Sequence, residues 1–242
     1  DTLPPPHFMP LNRLSPLSPL WMVVFTLVSR LAFMAQMPYG LDSIQYVLGV
    51  LNYDVRLHQP HPPGYFLFVM MGRLGTLLFQ DPNRSFVVLN LLFGAVCVWV
   101  VFQLGRELFD KNSALAGAVL LATSPTFWFH GEVALSNMLD CLLVSCLALL
   151  CWRTLQGQHR FSYLAAVVLG VAGGVRQNSL PFLFPLFLFS IARTGMKRIA
   201  LSIAVLVTVV TAWYLPMVEL SGGLTAYQAA LRDHWLNSNW HG

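Results

Sequence analysis

Ionisable side chains gather in one short polar segment, Tyr39 to Tyr65, which lies between two apolar stretches of the chain. The segment holds Asp42, His58 and His61, and a Pro-Pro-Gly turn follows directly after His61. Acids are scarce elsewhere, because the 242 residues include only ten Asp and Glu. A carboxylate can act as a general base, and an imidazole can donate a hydrogen bond to an anion. The segment is therefore a candidate site for chemistry.

Asp42 opens a stretch in which apolar residues recur on one helical face, a pattern typical of an amphipathic helix at a membrane surface. Two interpretations of Asp42 follow. It can cap the N-terminus of that helix, where unpaired N–H groups and the helix dipole favour a carboxylate. It can also act as a general base at the membrane surface. The two interpretations are compatible.

The two histidines flank Gln59-Pro60 and allow three interpretations. They can be solvated side chains on a rigid turn, or His61 can be a hydrogen-bond donor to a phosphate. Together with Asp42 they can also supply three ligands to a divalent metal. The H-x-x-H spacing is a weak zinc pattern by itself, so a metal is possible but not favoured, and we expect no cofactor.

The composition indicates an integral membrane protein. Hydrophobic residues make up 56 % of the chain and charged residues 10 %, with a mean hydropathy of +0.63, whereas a soluble domain has about 25 % charged residues. The net charge of +4 is not concentrated in a basic run, so we expect no nucleic-acid partner. The four cysteines lie in apolar segments without C-x-x-C spacing, which indicates neither a metal site nor a disulfide framework. We predict an all-α, multi-pass membrane protein.

Seven segments are apolar and long enough, or nearly so, to cross a bilayer as helices of about 20 residues. They are 18–37, 85–105, 114–130, 137–152, 162–175, 179–192 and 199–218. An eighth apolar segment, 65–79, corresponds to about 22 Å of helix and carries Arg73 near its middle. We expect this eighth segment to be a juxtamembrane helix rather than a span.

The distribution of Lys and Arg supports that choice. If 65–79 stays outside the membrane, eight Lys and Arg face the cytoplasm and five face outward, in agreement with the positive-inside rule. Residues 1–17 are then a cytoplasmic tail, 18–220 a transmembrane module with its first outer loop at 38–84, and 221–242 the start of a truncated outer loop. The chain has no initiating Met and stops in a polar, Trp-rich segment, so we expect it to be a fragment.

This topology brings further polar residues to the outer face. Glu132 and Asn137 lie between the third and fourth predicted spans, and Arg176 lies at the tip of a predicted short hairpin. The planar guanidinium of Arg176 suits phosphate oxygens. Glu132 can line the same site or pair with an arginine, and Asp140 can line the cavity or pair with a buried partner.

The order of these features resembles that of integral-membrane glycosyltransferases of the GT-C class, in particular the dolichyl-phosphate-mannose-protein mannosyltransferase-like and rhizobial Rgt-like branch. An acid stands at the start of the first outer loop, Asp42, with Tyr46 four residues on. A histidine-led Pro-Pro turn follows at 61–65, then a cytoplasmic turn at 106–110 and the Ser-Pro pair at 124–125. The resemblance covers about residues 18–220.

The resemblance implies transfer of a sugar from a polyprenyl-phosphate donor to a glycan, lipid or protein acceptor. The reaction takes place on the outer face of a bacterial inner membrane, with inversion at the anomeric carbon. Asp42 is the implied general base. The implied substrate-binding residues, of which His61 and Arg176 hold the lipid phosphate, are Tyr46, His61, Glu132, Asn137 and Arg176. The alternative is a transporter or flippase for a lipid-linked or anionic substrate, which should place ionisable groups near the bilayer midplane rather than at one rim. A purely structural subunit would leave the outer acids unexplained.

Overall fold

The computed structural model describes residues 18–238, and the side chains of 20–236. Within this range every regular element is helical. The predicted cytoplasmic tail, 1–17, lies outside the described residues. The helices are α1 Ser18–Leu31, α2 Gly40–Leu51, α3 Phe66–Phe79, α4 Pro82–Leu108, α5 Lys111–Thr123, α6 Pro125–Glu132, α7 Asn137–Leu155, α8 Phe161–Val175, α9 Ser179–Ile191, α10 Met196–Leu220 and α11 Leu224–Ser238, with a short 3-10 turn at Val55–Leu57.

The predicted fold class, an all-α polytopic membrane protein, is confirmed. Three of the helices, α4, α7 and α10, are long and apolar enough to cross a membrane. Helices α1, α2, α3, α8 and α9 are also apolar but shorter. The number of seven spans therefore stays a prediction.

One predicted span differs from the structure. The span expected at 114–130 is interrupted at Ser124, which is extended (φ −61°, ψ 125°) and separates α5 from α6. The cause is Pro125, because the residue before a proline is disfavoured in the helical region. Residues 224–238, within the predicted outer loop 221–242, form helix α11, and the outer position of that loop stays a prediction. The hairpin predicted across 162–192 is confirmed, since α8 ends and α9 begins on either side of residues 176–178.

Polar side chains inside the helices bind the backbone of neighbouring segments. The amide of Asn90 in α4 is fully buried and donates to the carbonyls of Val133 (2.7 Å) and Leu135 (2.8 Å). This fixes the extended segment between α6 and α7. Arg30 in α1, also fully buried, donates to the carbonyl of Ala122 at 2.8 Å. Such bonds matter in a membrane, because lipid offers no replacement partner to an unpaired polar group.

The arginine within the apolar helix α3 has a structural role. The guanidinium of Arg73 donates to the carbonyls of Val50 (2.9 Å) and Gly49 (3.2 Å) at the C-terminus of α2. It thereby satisfies carbonyls that a helix end leaves without an intrahelical partner. Helix α3 in turn packs closely on α4, because a Cβ atom at Gly72 would lie 2.3 Å from the Phe86 ring. The pair α2–α3 is therefore anchored to the bundle as one unit.

The predicted topology can be tested by the accessibility of introduced thiols. Arg84 and Gln158 are both exposed and lie near opposite ends of the bundle in the predicted orientation. In intact cells, the Arg84→Cys variant should react with a membrane-impermeant maleimide, and the Gln158→Cys variant should react only after the cells are opened. The unaltered protein, with its four native cysteines in apolar helices, gives the background. The reverse pattern of labelling would contradict the topology.

Candidate active site

Asp42 lies in the first turn of α2, and its carboxylate is exposed. The residue at the cap position is Tyr39, and no side chain caps this helix, so Asp42 is not the N-cap. As an acid in the first turn it still interacts favourably with the helix dipole. In the described part of the chain the carboxylate makes no hydrogen bond and no ion pair. Its charge nevertheless acts on three neighbouring rings: it opposes the lowering of the His61 pKa, and it adds to the effect of burial in raising the pKa values of Tyr46 and Tyr65. Asp42 is thus a carboxylate without a hydrogen-bond or ion-pair partner among the described residues, and it lies near the imidazole of His61.

His61 is held among aromatic rings. Its centroid lies 4.8 Å from that of Tyr65, 5.8 Å from that of Tyr46 and 6.0 Å from that of His234. Nδ1 is buried and has no hydrogen-bond partner, which leaves Nε2 as the ring nitrogen that a ligand can reach. Burial lowers the pKa of His61, as do the nearby His234, His58 and Arg176. The ring is therefore mainly neutral at neutral pH and can donate a single hydrogen bond.

Tyr46 is buried and packs against these rings. It is only 2 % exposed, and its ring meets those of Tyr65 and Phe68 edge-on at 5.1 Å. Its hydroxyl lies 3.5 Å from Oγ of Ser136, just before α7. The structure thus brings Tyr46 to the predicted site, where it is buried and packs against His61.

Arg176 ends α8 and faces the same cluster. Its Nη1 lies 3.7 Å from Oδ2 of Asp140 in α7, and Oγ of Ser179 donates to Oδ1 of that carboxylate at 2.6 Å. Asp140 therefore pairs with a neighbour, one of the two possibilities left open by the sequence. Burial raises the pKa of Tyr65, and the charge of Arg176 partly offsets that rise. The guanidinium is thus about one-third exposed beside the carboxylate of Asp140.

One backbone oxygen joins three elements at this site. The carbonyl of Pro63 accepts a hydrogen bond from Nε2 of Gln177 at 3.0 Å and another from the hydroxyl of Tyr227 at 2.9 Å. The two side chains also contact each other at 3.1 Å. Gln177 follows Arg176, and Pro63 is two residues from His61. We call this arrangement the Pro63 latch.

The remaining two predicted residues lie elsewhere. Glu132 ends α6, where its charge acts on Arg30 and its Oε1 is buried without a hydrogen-bond partner. Asn137 begins α7 and lines a different cavity. Of the six predicted site residues, the structure brings together Asp42, Tyr46, His61 and Arg176.

A family model described as dolichyl-phosphate-mannose-protein mannosyltransferase matches residues 60–219, about two thirds of the chain. The chain belongs to this family. No curated protein matches it, and no solved structure does. The match includes His61 and Arg176, whereas Asp42 precedes it.

Family membership, together with the apolar helices, identifies the chain as an integral-membrane glycosyltransferase of the GT-C type. Family membership therefore favours a glycosyltransferase over the alternative, a transporter or flippase. Within residues 18–238, no three His, Cys, Asp or Glu are arranged to hold a metal ion. That includes His58, His61 and His234, although their rings are in contact.

Sequence reasoning did not identify the residues that assemble this glycosyltransferase site. Gln177 and Tyr227 are 50 residues apart, and neither stands in a recognisable motif. His234 lies in the polar, Trp-rich C-terminal segment and stands in no motif. Its place beside His58 and His61 depends on α11 being a helix. The available signal was the density of aromatic and polar residues after the last predicted span.

Breaking the Pro63 latch should destabilise the protein. The Gln177→Leu variant keeps the size of the side chain but removes one of the two donors to the Pro63 carbonyl. A lost bond to a buried group costs about 1–3 kcal/mol. We expect a lower unfolding temperature in detergent for Gln177→Leu, and a similar loss for Tyr227→Phe. The matched control is Gln228→Leu, at an exposed position of α11. Equal stability of Gln177→Leu and the control would show that the latch is not a stabilising contact.

The stability of the protein should depend on pH through His61. Its pKa in the folded protein is below the ordinary value of 6.5, so the unfolded chain binds the proton first as the pH falls. The contribution to stability is present above 6.5 and is lost as the pH falls through the folded-state pKa. Unfolding temperatures measured at about pH 7.5 and about pH 5 should differ less in the His61→Gln variant than in the wild type. The control variant His159→Gln, at the predicted cytoplasmic end, should retain most of the wild-type difference, and an unaltered difference in His61→Gln would contradict the assignment.

Proposed function

We propose that this glycosyltransferase moves a sugar from a polyprenyl-phosphate donor to a hydroxyl group of a glycan, lipid or protein acceptor. The reaction takes place at the outer face of a bacterial inner membrane and requires no metal or other cofactor. The observation that carries the proposal is the uncommitted carboxylate of Asp42 beside the neutral imidazole of His61. Arg176 supplies a positive charge to the same cluster.

In the proposed reaction, the acceptor hydroxyl oxygen attacks the anomeric carbon, and Asp42 takes the hydroxyl proton. The bond between the anomeric carbon and the phosphate oxygen breaks, and its electron pair leaves with the polyprenyl phosphate. Arg176 and Nε2 of His61 donate hydrogen bonds to the phosphate as it gains negative charge. Preorganised donors of this kind stabilise a leaving group more effectively than water does, because they need not reorient during the reaction.

The state of the two acids in the cluster supports inversion. Asp140 accepts a hydrogen bond from Ser179 and lies beside Arg176, so it is already engaged. Only Asp42 remains free to accept a proton. A retaining reaction by double displacement, as in glycoside hydrolases, requires a second carboxylate to act as the nucleophile. One free carboxylate fits a single displacement.

The Asp42→Asn variant tests the proposed base. It keeps the size and shape of the side chain but cannot accept the proton, and general-base catalysis contributes about 10²–10⁴-fold to rate. We expect the variant to lose that factor in kcat for transfer from a polyprenyl-phosphate sugar, with the protein in proteoliposomes. Glu219→Gln is the matched control, because it removes another exposed carboxylate at the predicted outer face. If Asp42→Asn retains activity within a few-fold of the control, Asp42 is not the base.

A further inference from the structure

A second cavity, of about 300 Å³, opens where the break between α5 and α6 meets the start of α7. Its lining residues are Leu121, Ser124, Thr126, Phe127, His130, Asn137, Met138 and Cys141. The cavity is separate from the Asp42 cluster. Ser136 directs its hydroxyl towards Tyr46 in that cluster, whereas the next residue, Asn137, lines this cavity. The cavity has no part in the proposed transfer reaction.

Four of the side chains that line the cavity are hydrogen-bonding groups with unused capacity. In the described part of the chain, the hydroxyls of Ser124 and Thr126 and the amide of Asn137 make no hydrogen bond. The Nδ1 atom of His130 lies 2.8 Å from the carbonyl oxygen of Thr126, which can only accept, so Nδ1 carries the hydrogen. In this tautomer Nε2 is a free acceptor. Several donors and acceptors therefore converge on one space.

The rest of the lining is apolar and uncharged. It includes Leu121, Phe127 and Met138, and the neighbouring Leu120 is 72 % exposed on the outer surface of α5, where lipid would cover it. Among the residues that the structure describes, no arginine, lysine or carboxylate lines the cavity. A phosphate headgroup would find no opposite charge here, and a cationic headgroup would find no carboxylate. Hydroxyl groups would satisfy the free donors and acceptors without any charge.

We propose that this cavity binds the headgroup of a membrane amphiphile that carries several hydroxyl groups and no charge, with its alkyl chain over the apolar surface of α5. The volume is at the small end of ligand pockets, which hold about 300–1,000 Å³, and fits one small headgroup. The occupant contacts Asn137, two residues after Leu135, whose carbonyl Asn90 binds. Binding is thus linked to the backbone between α6 and α7.

Cys141 provides a direct measurement, because its thiol lines the cavity. The full chain in phosphatidylcholine nanodiscs is treated with N-ethylmaleimide while an alkyl glucoside is titrated, and modification of each cysteine is followed by peptide mass spectrometry. We expect the glucoside to slow modification of Cys141 in a saturable manner. Cys146 lies on the same helix but does not line the cavity, so its modification should not change. An alkyl phosphate of equal chain length should protect Cys141 at least ten times less strongly.

Two variants sharpen the test. Thr126→Val removes a hydroxyl from the lining of the cavity. Thr123→Val removes a hydroxyl from the neighbouring helix α5, outside the cavity. The first should weaken protection by the glucoside several-fold, and the second should not. The proposal is overturned if the glucoside fails to protect Cys141, if Cys146 is protected equally, or if the alkyl phosphate protects equally well. Since the readout is modification rather than sugar transfer, the outcome is independent of the role of Asp42.

Discussion

The arrangement of the candidate site depends on one backbone oxygen, the carbonyl of Pro63. It accepts hydrogen bonds from Gln177 and Tyr227, and so joins the first outer loop to the α8–α9 tip and to α11. His61 lies two residues before this oxygen, and Arg176 precedes one of its donors. Without the latch, the loop and the tip would be connected mainly by packing, and nothing directional would set the separation of the imidazole and the guanidinium. Positioning of this kind is what a reaction between two bound substrates requires.

The membrane accounts for the contrast between this site and the rest of the bundle. Elsewhere, several polar side chains within the helices bind backbone carbonyls of neighbouring segments. Asn90 binds two carbonyls, Arg73 binds the end of α2, and Arg30 binds Ala122 and lies 4.6 Å from the Trp128 ring. At the site, the exposed carboxylate of Asp42 has no hydrogen-bond or ion-pair partner among the described residues, and Nδ1 of His61 is buried without one. Because an unpaired polar group is costly in such a protein, groups left free at one rim are candidates for binding and chemistry.

The parts that could be predicted from the sequence are those decided by local physics. The break after α8 follows from its glycines and the polar tip, and the helix at α3 follows from its apolar run; its juxtamembrane position stays a prediction from length and charge bias. The shared location of Asp42, His61 and Arg176 followed from placing all three on one side of the membrane. The latch, the pairing of Arg176 with Asp140 and the position of Glu132 beside Arg30 depend on contacts between distant segments. No local pattern encodes such contacts, and a helix at 224–238 could not be distinguished from a polar loop.

The central claim is that His61 and Arg176 act on one phosphate at the outer face. The most direct measurement is the Kd of a short-chain polyprenyl phosphate for the wild type, for His61→Ala, for Arg176→Ala and for the double variant. A hydrogen bond to a charged group contributes about 1.5–3 kcal/mol, so each single variant should bind at least about ten times more weakly. The double variant should lose less than the product of the two single losses, because residues that share a partner are not additive. Unchanged affinity in both single variants would show that the phosphate binds elsewhere and would contradict the account.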